Sequence, residues 1–438
     1  MLTASLVVAF AATSGCAQGA SAYQSNSGDP PGRVARLSAL DGAVSFQAQG
    51  SDSWAQPSLN YTVTTGDRLY APAGARAELD VGASAVRVGD GADMTVTNLT
   101  DHFAQFGLAS GTMRTSIYRW VPSDSVELDT PNGALLPLTA GSYRVSVDPT
   151  AGVTTVTVER GSLEVSGPGL DRTIRNAETF ELSGENPIQM RVVSLASADD
   201  FERWAAARDQ RFEANTPTVQ YVGNYVPGWE DLDQYGSWYP DATYGPVWYP
   251  TSVGAGWVPY RDGHWAWVEP FGWSWVDDAP WGFAPFHYGR WAQFSRGWGW
   301  VPGPVEQRPV YSPALVMFVD GASFRDPLHP AMQAWFPLGP REPYFPWYHH
   351  SDAYLRTVNA ANLRGADIDR LIRMRDVDGF QWRNRAVALT AVREETLRQG
   401  LPVGRDVIHL QPQEIAAAHL APHPSVSPES RIVSGGAP

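Results

Sequence analysis

The residues with the clearest chemical potential in this chain are tryptophans spaced two apart. Twelve of the 18 tryptophans lie between residues 221 and 303, together with eight tyrosines and four phenylalanines. Residues two apart on a β-strand share one face, so each such pair forms an aromatic surface. Indole faces complement the CH faces of sugars, and polar groups at the rim fix a ligand's orientation. The predicted binding residues are Trp257, Trp265, Trp267, Trp273, Trp275, Trp291, Trp298, Trp300, His264 and Arg290.

The same indoles have an alternative, purely structural role. A tryptophan side chain buries about 150–250 Å², and hairpins rich in glycine and proline are too short to build a conventional core. The rings would then brace these hairpins from inside. The two interpretations differ in one observable, which is the exposure of the rings to solvent.

Acid–base chemistry could come from His264 and Asp277, which are close in sequence. A carboxylate near a histidine can supply a general acid and a general base, and this pair is the basis of one alternative, a polysaccharide hydrolase. The chain has no HExxH motif, no serine nucleophile elbow and a single cysteine, which excludes the metal and nucleophile sites built on those motifs. We therefore predict that the protein is not an enzyme and binds no metal or cofactor.

The composition excludes further classes of function. The chain has 438 residues, a net charge of −14 at pH 7 and no lysine among its 32 basic residues. Without lysine, a phosphate-binding P-loop and a pyridoxal Schiff base are excluded. Segment 221–303 carries three arginines against eight acidic residues. We predict no nucleic-acid partner, because phosphates must be neutralised by cationic side chains.

The first residues resemble an export signal. Residues 2–15 form an uncharged apolar run that is too short to cross a bilayer, and Ala20-Ser21-Ala22 is a small-residue cleavage site. Alternatively, Thr13-Ser14-Gly15-Cys16 resembles a bacterial lipoprotein box, in which Cys16 carries a lipid. No arginine precedes the apolar run, which is a departure from export signals. We predict a signal peptide over 1–22 and a periplasmic or outer-membrane-associated protein, with membrane contact only through this lipid.

Short strands dominate the segment from 33 to 195. β-Branched residues alternate with polar ones over 143–147 and 153–158, and glycine and aspartate turns recur about every ten residues. This spacing is typical of a β-sandwich or roll. The segment resembles the FecR-like periplasmic domain. The motifs that carry this resemblance include Gly42-Ala43-Val44, Gly66-Asp67-Arg68-Leu69, Thr130-Pro131-Asn132-Gly133 and Val158-Glu159-Arg160-Gly161-Ser162-Leu163.

The FecR resemblance implies a non-catalytic β domain in the cell envelope. Some FecR-like proteins relay signals to sigma factors across the inner membrane, so an extracytoplasmic signalling protein is a second alternative. This chain departs from those regulators, because neither a cytoplasmic helical region nor a transmembrane helix precedes the β segment.

The aromatic segment repeats. Residues 256–266 align with 282–292 at a constant offset of 26, and each unit contains two short runs joined by a turn. We therefore predict tandem hairpins. The expected aromatic ladder consists of Trp265, Trp267, Trp273 and Trp275. Segment 221–348 resembles a Trp/Pro/Gly-rich bacterial domain of unknown function that often follows a FecR-like domain. The motifs that carry this resemblance include Tyr260-Arg261-Asp262-Gly263-His264-Trp265 and Phe271-Gly272-Trp273-Ser274-Trp275.

Helices are predicted in two places. Ser197, with an acidic residue three positions later, is typical of a helix start and predicts a connecting helix over 197–214. Apolar stripes predict a helical region over 349–420, in which Val392 belongs to one of the helices. The Pro/Ser/Gly-rich tail 421–438 is predicted to be disordered.

Together these features predict a mainly β fold. It comprises a β-sandwich or roll, Trp-rich β-hairpin repeats and a small C-terminal helical region. The predicted function is a non-catalytic binding or scaffold protein of the cell envelope. Its expected partner is peptidoglycan or another polysaccharide, or a second envelope protein. The hydrolase and the signalling protein remain alternatives.

Overall fold

The computed structural model describes most of the chain after its first residues. The described residues are 28–305, 308–324, 331–374, 377 and 379–429. The predicted signal peptide and Cys16 lie outside them. Strands account for 39% of the structure and helices for 18%, which confirms the predicted mainly β fold.

The first half of the described chain forms one 15-stranded sheet, here called the N-terminal β region (35–193). All of its strand pairs are antiparallel except one, β7 with β8. Its strands are β1 (Ala35–Asp41), β2 (Ser45–Gln47), β3 (Thr62–Val63), β4 (Arg68–Ala71), β5 (Arg76–Asp80), β6 (Ser84–Leu99), β7 (Phe103–Ile117), β8 (Ser125–Thr130), β9 (Gly133–Pro137), β10 (Gly141–Asp148), β11 (Val153–Arg160), β12 (Ser162–Gly167), β13 (Leu170–Arg175), β14 (Glu178–Ser183) and β15 (Gln189–Val193).

The two longest strands, β6 and β7, join the two halves of the N-terminal β region, because each pairs with several other strands. β7 pairs with β6 on one side, and on the other with β8 through its first half and β10 through its second. The pair bends where β6 bulges between Gly89 and Asp93. Gly111 of β7 lies at this bend with a φ of +76°, and a Cβ atom there would lie 2.2 Å from the Ala92 nitrogen. Glycine is therefore required at position 111, where β7 no longer pairs with β8 and starts pairing with β10.

A connecting helix, α1 (Asp200–Glu213), follows the N-terminal β region. Its N-cap is Asp199, whose side chain accepts a hydrogen bond from the Glu202 nitrogen, so the helix begins three residues after the predicted start at Ser197. The physical reason is that Asp199 is also held by Arg144 of β10, which fixes the cap at this position. Among its buried residues is Asp209, a charge that the apolar pattern did not reveal.

The aromatic region (229–348) is built on three β-hairpins. This confirms the hairpins predicted from the repeat. Hairpins β16–β17 and β20–β21 join into a four-stranded sheet of order β16-β17-β21-β20, whereas β18–β19 forms a separate two-stranded sheet. The bounds are β16 (Gly236–Asp241), β17 (Gly245–Pro250), β18 (Gly263–Val268), β19 (Gly272–Asp277), β20 (Arg290–Phe294) and β21 (Gly297–Val301). Short helices lie before and between the hairpins: α2 (Pro217–Val222), the 3-10 helix Trp229–Asp231, α3 (Leu232–Tyr235) and α4 (Ala284–His287).

The remaining elements combine a small sheet, here called the C-terminal sheet, with short helices. The sheet has the order β24-β23-β22-β25. Its strands are β22 (Val316–Val319), β23 (Met332–Pro337), β24 (Thr390–Arg393) and β25 (Leu420–Ala421). The helices are the 3-10 helix Gly321–Phe324, α5 (Asp352–Asn359), α6 (Gly365–Met374), α7 (Arg385–Ala388), α8 (Glu394–Arg398), the 3-10 helix Val403–Arg405 and α9 (Pro412–Ala417).

Two expectations for the C-terminal part are corrected. Val392 lies in strand β24 and not in a helix, because β24 completes the sheet begun by β22 and β23. The described part of the predicted disordered tail is also docked. Val426 is buried, and its carbonyl accepts a hydrogen bond from Trp273 Nε1 at 2.8 Å. The nitrogen of Glu429 donates to the Arg398 carbonyl at 3.0 Å.

Buried polar contacts join the N-terminal β region to the aromatic region. Arg36 of β1 forms an ion pair with Asp231 at 2.6 Å and donates to the Pro280 carbonyl at 2.7 Å. Asn60 Nδ2 donates to the Asp277 carbonyl at 2.9 Å. All of these side chains are buried, so removing one partner while the joint stays closed would leave the other without a hydrogen bond in a water-poor environment.

Glu230, within this joint, is expected to make folding less favourable as the pH rises. Burial, together with the nearby Asp80 and Asp231, raises the pKa of Glu230 well above its ordinary value. The unfolded chain releases this proton at a lower pH than the folded chain, so the free energy of unfolding falls as the pH rises above about 4.5.

Glu230→Gln removes this cost and keeps an acceptor for Arg36. The difference in Tm between variant and wild type should therefore widen between about pH 5 and pH 9. Thermal unfolding across this range measures it, and Asp233→Asn, at an exposed neighbouring position, is the control. A difference that stays constant with pH would contradict the assignment.

Candidate ligand-binding groove

Hairpin β18–β19 carries the predicted ladder of four indoles. Trp265 lies opposite Trp275, with ring centroids 5.5 Å apart, and Trp267 lies opposite Trp273, with ring centroids 5.6 Å apart. The ladder is therefore confirmed. It is covered, however, because Trp265 packs edge-to-face on Trp335 of the C-terminal sheet, with centroids 5.3 Å apart.

A second row of indoles crosses the four-stranded sheet. Trp238 lies opposite Trp248, Trp248 opposite Trp300, and Trp300 opposite Trp291. Directly opposed residues share one face, and this face is turned inward. Trp248, Trp291 and Trp300 are fully buried. Their Nε1 atoms donate to the backbone carbonyls of Leu232, Pro285 and Tyr288 at 2.8–2.9 Å.

Most of the predicted binding residues are thus inaccessible. Eight of the ten are buried: His264, Trp265, Trp273, Trp275, Arg290, Trp291, Trp298 and Trp300. Trp257 and Trp267 are half-buried. This corrects the expectation of exposed indole platforms for the eight buried residues and supports the bracing role. The reason is that period-two spacing identifies a shared face but not whether another layer covers it.

The structure does not bring His264 and Asp277 together. His264 lies opposite Val276 on the hairpin, so Asp277, one residue later, projects from the other face. The Asp277 carboxylate accepts from Trp275 Nε1 and from the Ala279 nitrogen, both at 3.0 Å. Burial raises the pKa of Asp277 and lowers that of His264 to about 4.

Arg290 is also held in place by hydrogen bonds in the interior. Its guanidinium donates to the backbone carbonyls of Gly289 and Glu342 at 2.8 and 3.3 Å, and burial lowers its pKa to about 10. Within the described ranges, no group of three His, Cys, Asp or Glu side chains could hold a metal ion.

The outer face of the four-stranded sheet presents accessible rings that sequence reasoning missed. This tyrosine face consists of Tyr239, Tyr244, Tyr249 and Phe294. Tyr239 and Phe294 each pack edge-to-face on Tyr249, with centroids 5.8 Å apart, and Tyr239 is 40% exposed. Gly299 lies beneath these rings, and a Cβ atom there would lie 2.9 Å from the Tyr249 ring. The signal was present in β16 and β17, where each tyrosine follows a tryptophan and so takes the opposite face.

A groove of about 640 Å³ opens beside the tyrosine face. This volume is in the range of small-ligand sites, about 300–1,000 Å³. Two predicted binding residues line it: Trp257, which is half-buried, and Trp298, which is buried but still contributes to the wall of the groove. The other lining residues are Tyr249, Pro250, Val253, Gly254, Ala255, Gly256, Val258, Arg261, Gln293, Arg296, Gly297 and Val387. The groove therefore combines aromatic rings, an amide and two guanidinium groups, and its lining contains no Asp or Glu.

The aromatic region has a counterpart among protein families. Residues 229–342 match a family of unknown function (DUF6600). The match lies inside the predicted segment 221–348. A comparison with curated proteins finds no match.

Two crystal structures of a "putative anti-sigma factor" from Parabacteroides distasonis resemble part of this chain. One has 15% sequence identity and a TM-score of 0.26, and the likeness covers 29% of this chain and 60% of that one. The other has 14% identity and a TM-score of 0.27, covering 42% of this chain and 99% of that one.

No helix among the described residues is long and apolar enough to span a bilayer.

Proposed function

We propose that this protein is a non-catalytic binding and scaffold protein of the bacterial cell envelope, with a glycan as its ligand. The observation that carries the proposal is the groove beside the tyrosine face, where the rings of Trp257 and Tyr249 are only half-buried, whereas most indoles of the aromatic region are buried in the interior. Accessible rings next to polar side chains suit the alternating CH faces and hydroxyl groups of sugars.

The scaffold part of the proposal rests on the joint between the two regions. The buried contacts of Arg36 and Asn60 hold the aromatic region firmly against the N-terminal β region. We assign that β region to the FecR-like kind on its motifs. The proposed envelope location rests on the export signal expected over 1–22. Mass spectrometry of the mature N-terminus tests that location, and an unprocessed product in the cytoplasm would contradict it.

Replacing Trp257 with alanine is expected to weaken glycan binding about two- to tenfold, because one stacked ring contributes roughly 0.5–1.5 kcal/mol. Cosedimentation with purified peptidoglycan and affinity electrophoresis with bacterial polysaccharides measure the effect. Trp54→Ala is the matched control, since Trp54 is a 42% exposed indole in the N-terminal β region. Loss of binding in both variants, or in neither, would contradict the assignment to the groove.

A further inference from the structure

We propose that the groove binds a polysaccharide whose sugar rings carry carboxylates, with Trp257 and Tyr249 against the sugar faces and Arg261 and Arg296 on the carboxylates. This inference rests on the proposed glycan-binding function and specifies its ligand. The chain as a whole carries a net charge of −14, yet the groove is lined by two arginines and by no acidic side chain. The charged side chains that line the groove are therefore all positive, although the molecule as a whole is negative.

Both arginines are available for an anion. Among the described residues, neither Arg261 nor Arg296 has a carboxylate within 4.0 Å, whereas Arg36, Arg87 and Arg114 are each paired with at least two. A guanidinium group presents a planar fork of donors that matches a carboxylate at two points. Arg261 Nε donates to the Thr390 hydroxyl at 3.4 Å, which leaves the other donors of its guanidinium group for a ligand. Two guanidinium groups without a carboxylate partner in one groove suit an anionic ligand better than a neutral one.

Arg296 is held in place before any ligand arrives. Its guanidinium lies over the ring of Tyr239, 4.2 Å from the centroid. The nearby carboxylate of Asp241 accepts from the nitrogens of Thr243 and Tyr244 at 2.8 and 3.0 Å, so it is already used in a turn. A stacked guanidinium loses less freedom on binding than a mobile one, which favours affinity.

The position of the charges favours carboxylates attached directly to the sugar rings. The aromatic and cationic side chains line the same groove. A ligand that contacts both must therefore carry its acid group close to the face of a sugar ring. A polymer of uronic acids has this arrangement in every unit. In peptidoglycan, by contrast, the free carboxylates are carried mainly by the peptide stems. The proposed ligand is therefore an acidic polysaccharide and not peptidoglycan.

Gly254 allows the groove to be blocked without disturbing the fold. A Cβ atom at Gly254 would meet nothing within 4 Å, and its φ lies outside the left-handed region. Gly254→Glu should therefore fold normally and place a negative charge at the groove. Gly365→Glu is the matched control, because Gly365 is equally open and lies outside the groove lining.

The test is calorimetric titration of the full chain with polygalacturonate, with the same polymer after reduction of its carboxyl groups, and with soluble peptidoglycan fragments. We expect polygalacturonate to bind at least tenfold more tightly than the reduced polymer and to weaken as salt is added. Arg296→Gln and Gly254→Glu should each lower this affinity about tenfold, and Gly365→Glu should leave it unchanged. Circular dichroism confirms that each variant is folded.

The outcomes separate the inference from the function on which it rests. Equal binding of charged and reduced polymers, or binding of peptidoglycan fragments alone, overturns the acidic ligand and leaves the glycan-binding function standing. Undiminished binding by folded Gly254→Glu removes the groove as the site. Binding of none of the three probes overturns both the inference and the proposed function.

Discussion

Trp265→Ala is expected to destabilise the protein by about 3–5 kcal/mol, the usual cost of removing a large ring from a packed core. Trp265 is 1% exposed. Its ring lies 5.5 Å from Trp275, 5.3 Å from Phe318 and 5.3 Å from Trp335 between ring centroids. These partners belong to hairpin β18–β19 and to the C-terminal sheet, so the cavity would open between two layers that cannot close without moving a whole sheet.

The matched control is Trp267→Ala, two residues along the same strand and on the same face. Trp267 is half-buried, and its Nε1 donates to the exposed Glu269 carboxylate at 2.8 Å. Its loss should cost less than half as much, because water can fill the space left by the ring. Denaturant unfolding followed by fluorescence gives both free energies. Equal costs for the two variants would show that the ladder does not brace the interior from Trp265.

The spacing of the aromatic residues predicted which rings lie opposite each other on a hairpin. It did not predict which of these rings are exposed to solvent. The two-residue spacing of Trp265 with Trp267 is a local property, and strand pairing followed from it directly. Whether that face meets solvent depends on β22 and β23, whose residues lie at least 49 positions further along the chain. No local pattern encodes such a contact. The accessible rings include instead tyrosines such as Tyr239, which lies on the opposite face of its strand from the neighbouring Trp238.

Long-range contacts also explain the shifted boundaries. Ser197 and Asp199 are both good N-cap residues, and the ion pair of Asp199 with Arg144 decides between them. The apolar spacing around Val392 is also compatible with a helix. The segment forms a strand because it pairs with the edge of β23. In each case local propensity permitted two structures, and a contact made elsewhere in the fold selected one.

The buried charges of the N-terminal β region were invisible in the sequence for the same reason. Asp209 sits on an otherwise apolar helix face, and its oxygens accept from Arg87 at 2.6 Å, Arg114 at 2.7 Å and the Tyr118 hydroxyl at 2.8 Å. The four groups come from β6, β7, the segment after it and α1. Burial alone would raise the pKa of Asp209, but the two arginines outweigh burial and lower it.

Asp209→Ala is therefore expected to cost about 3–5 kcal/mol, the range for breaking one side of a buried ion pair. The variant removes the charge that Arg87 and Arg114 share, and both guanidinium groups would remain buried with less compensation. Because Asp209 joins α1 to both β6 and β7, the helix should also become accessible to protease before the strands unfold. Denaturant unfolding and limited proteolysis measure the two effects.

Glu213→Ala is the control for this prediction. Glu213 lies at the end of the same helix, and its ion pair with Arg160 has exposed side chains on both sides, 45% and 55%, so its loss should change stability by less than about 1 kcal/mol. If Asp209→Ala were as mild as Glu213→Ala, the buried cluster would not be what fixes α1. The apolar contacts of Phe201 and Phe212 would then be sufficient to hold the helix that connects the N-terminal β region to the aromatic region.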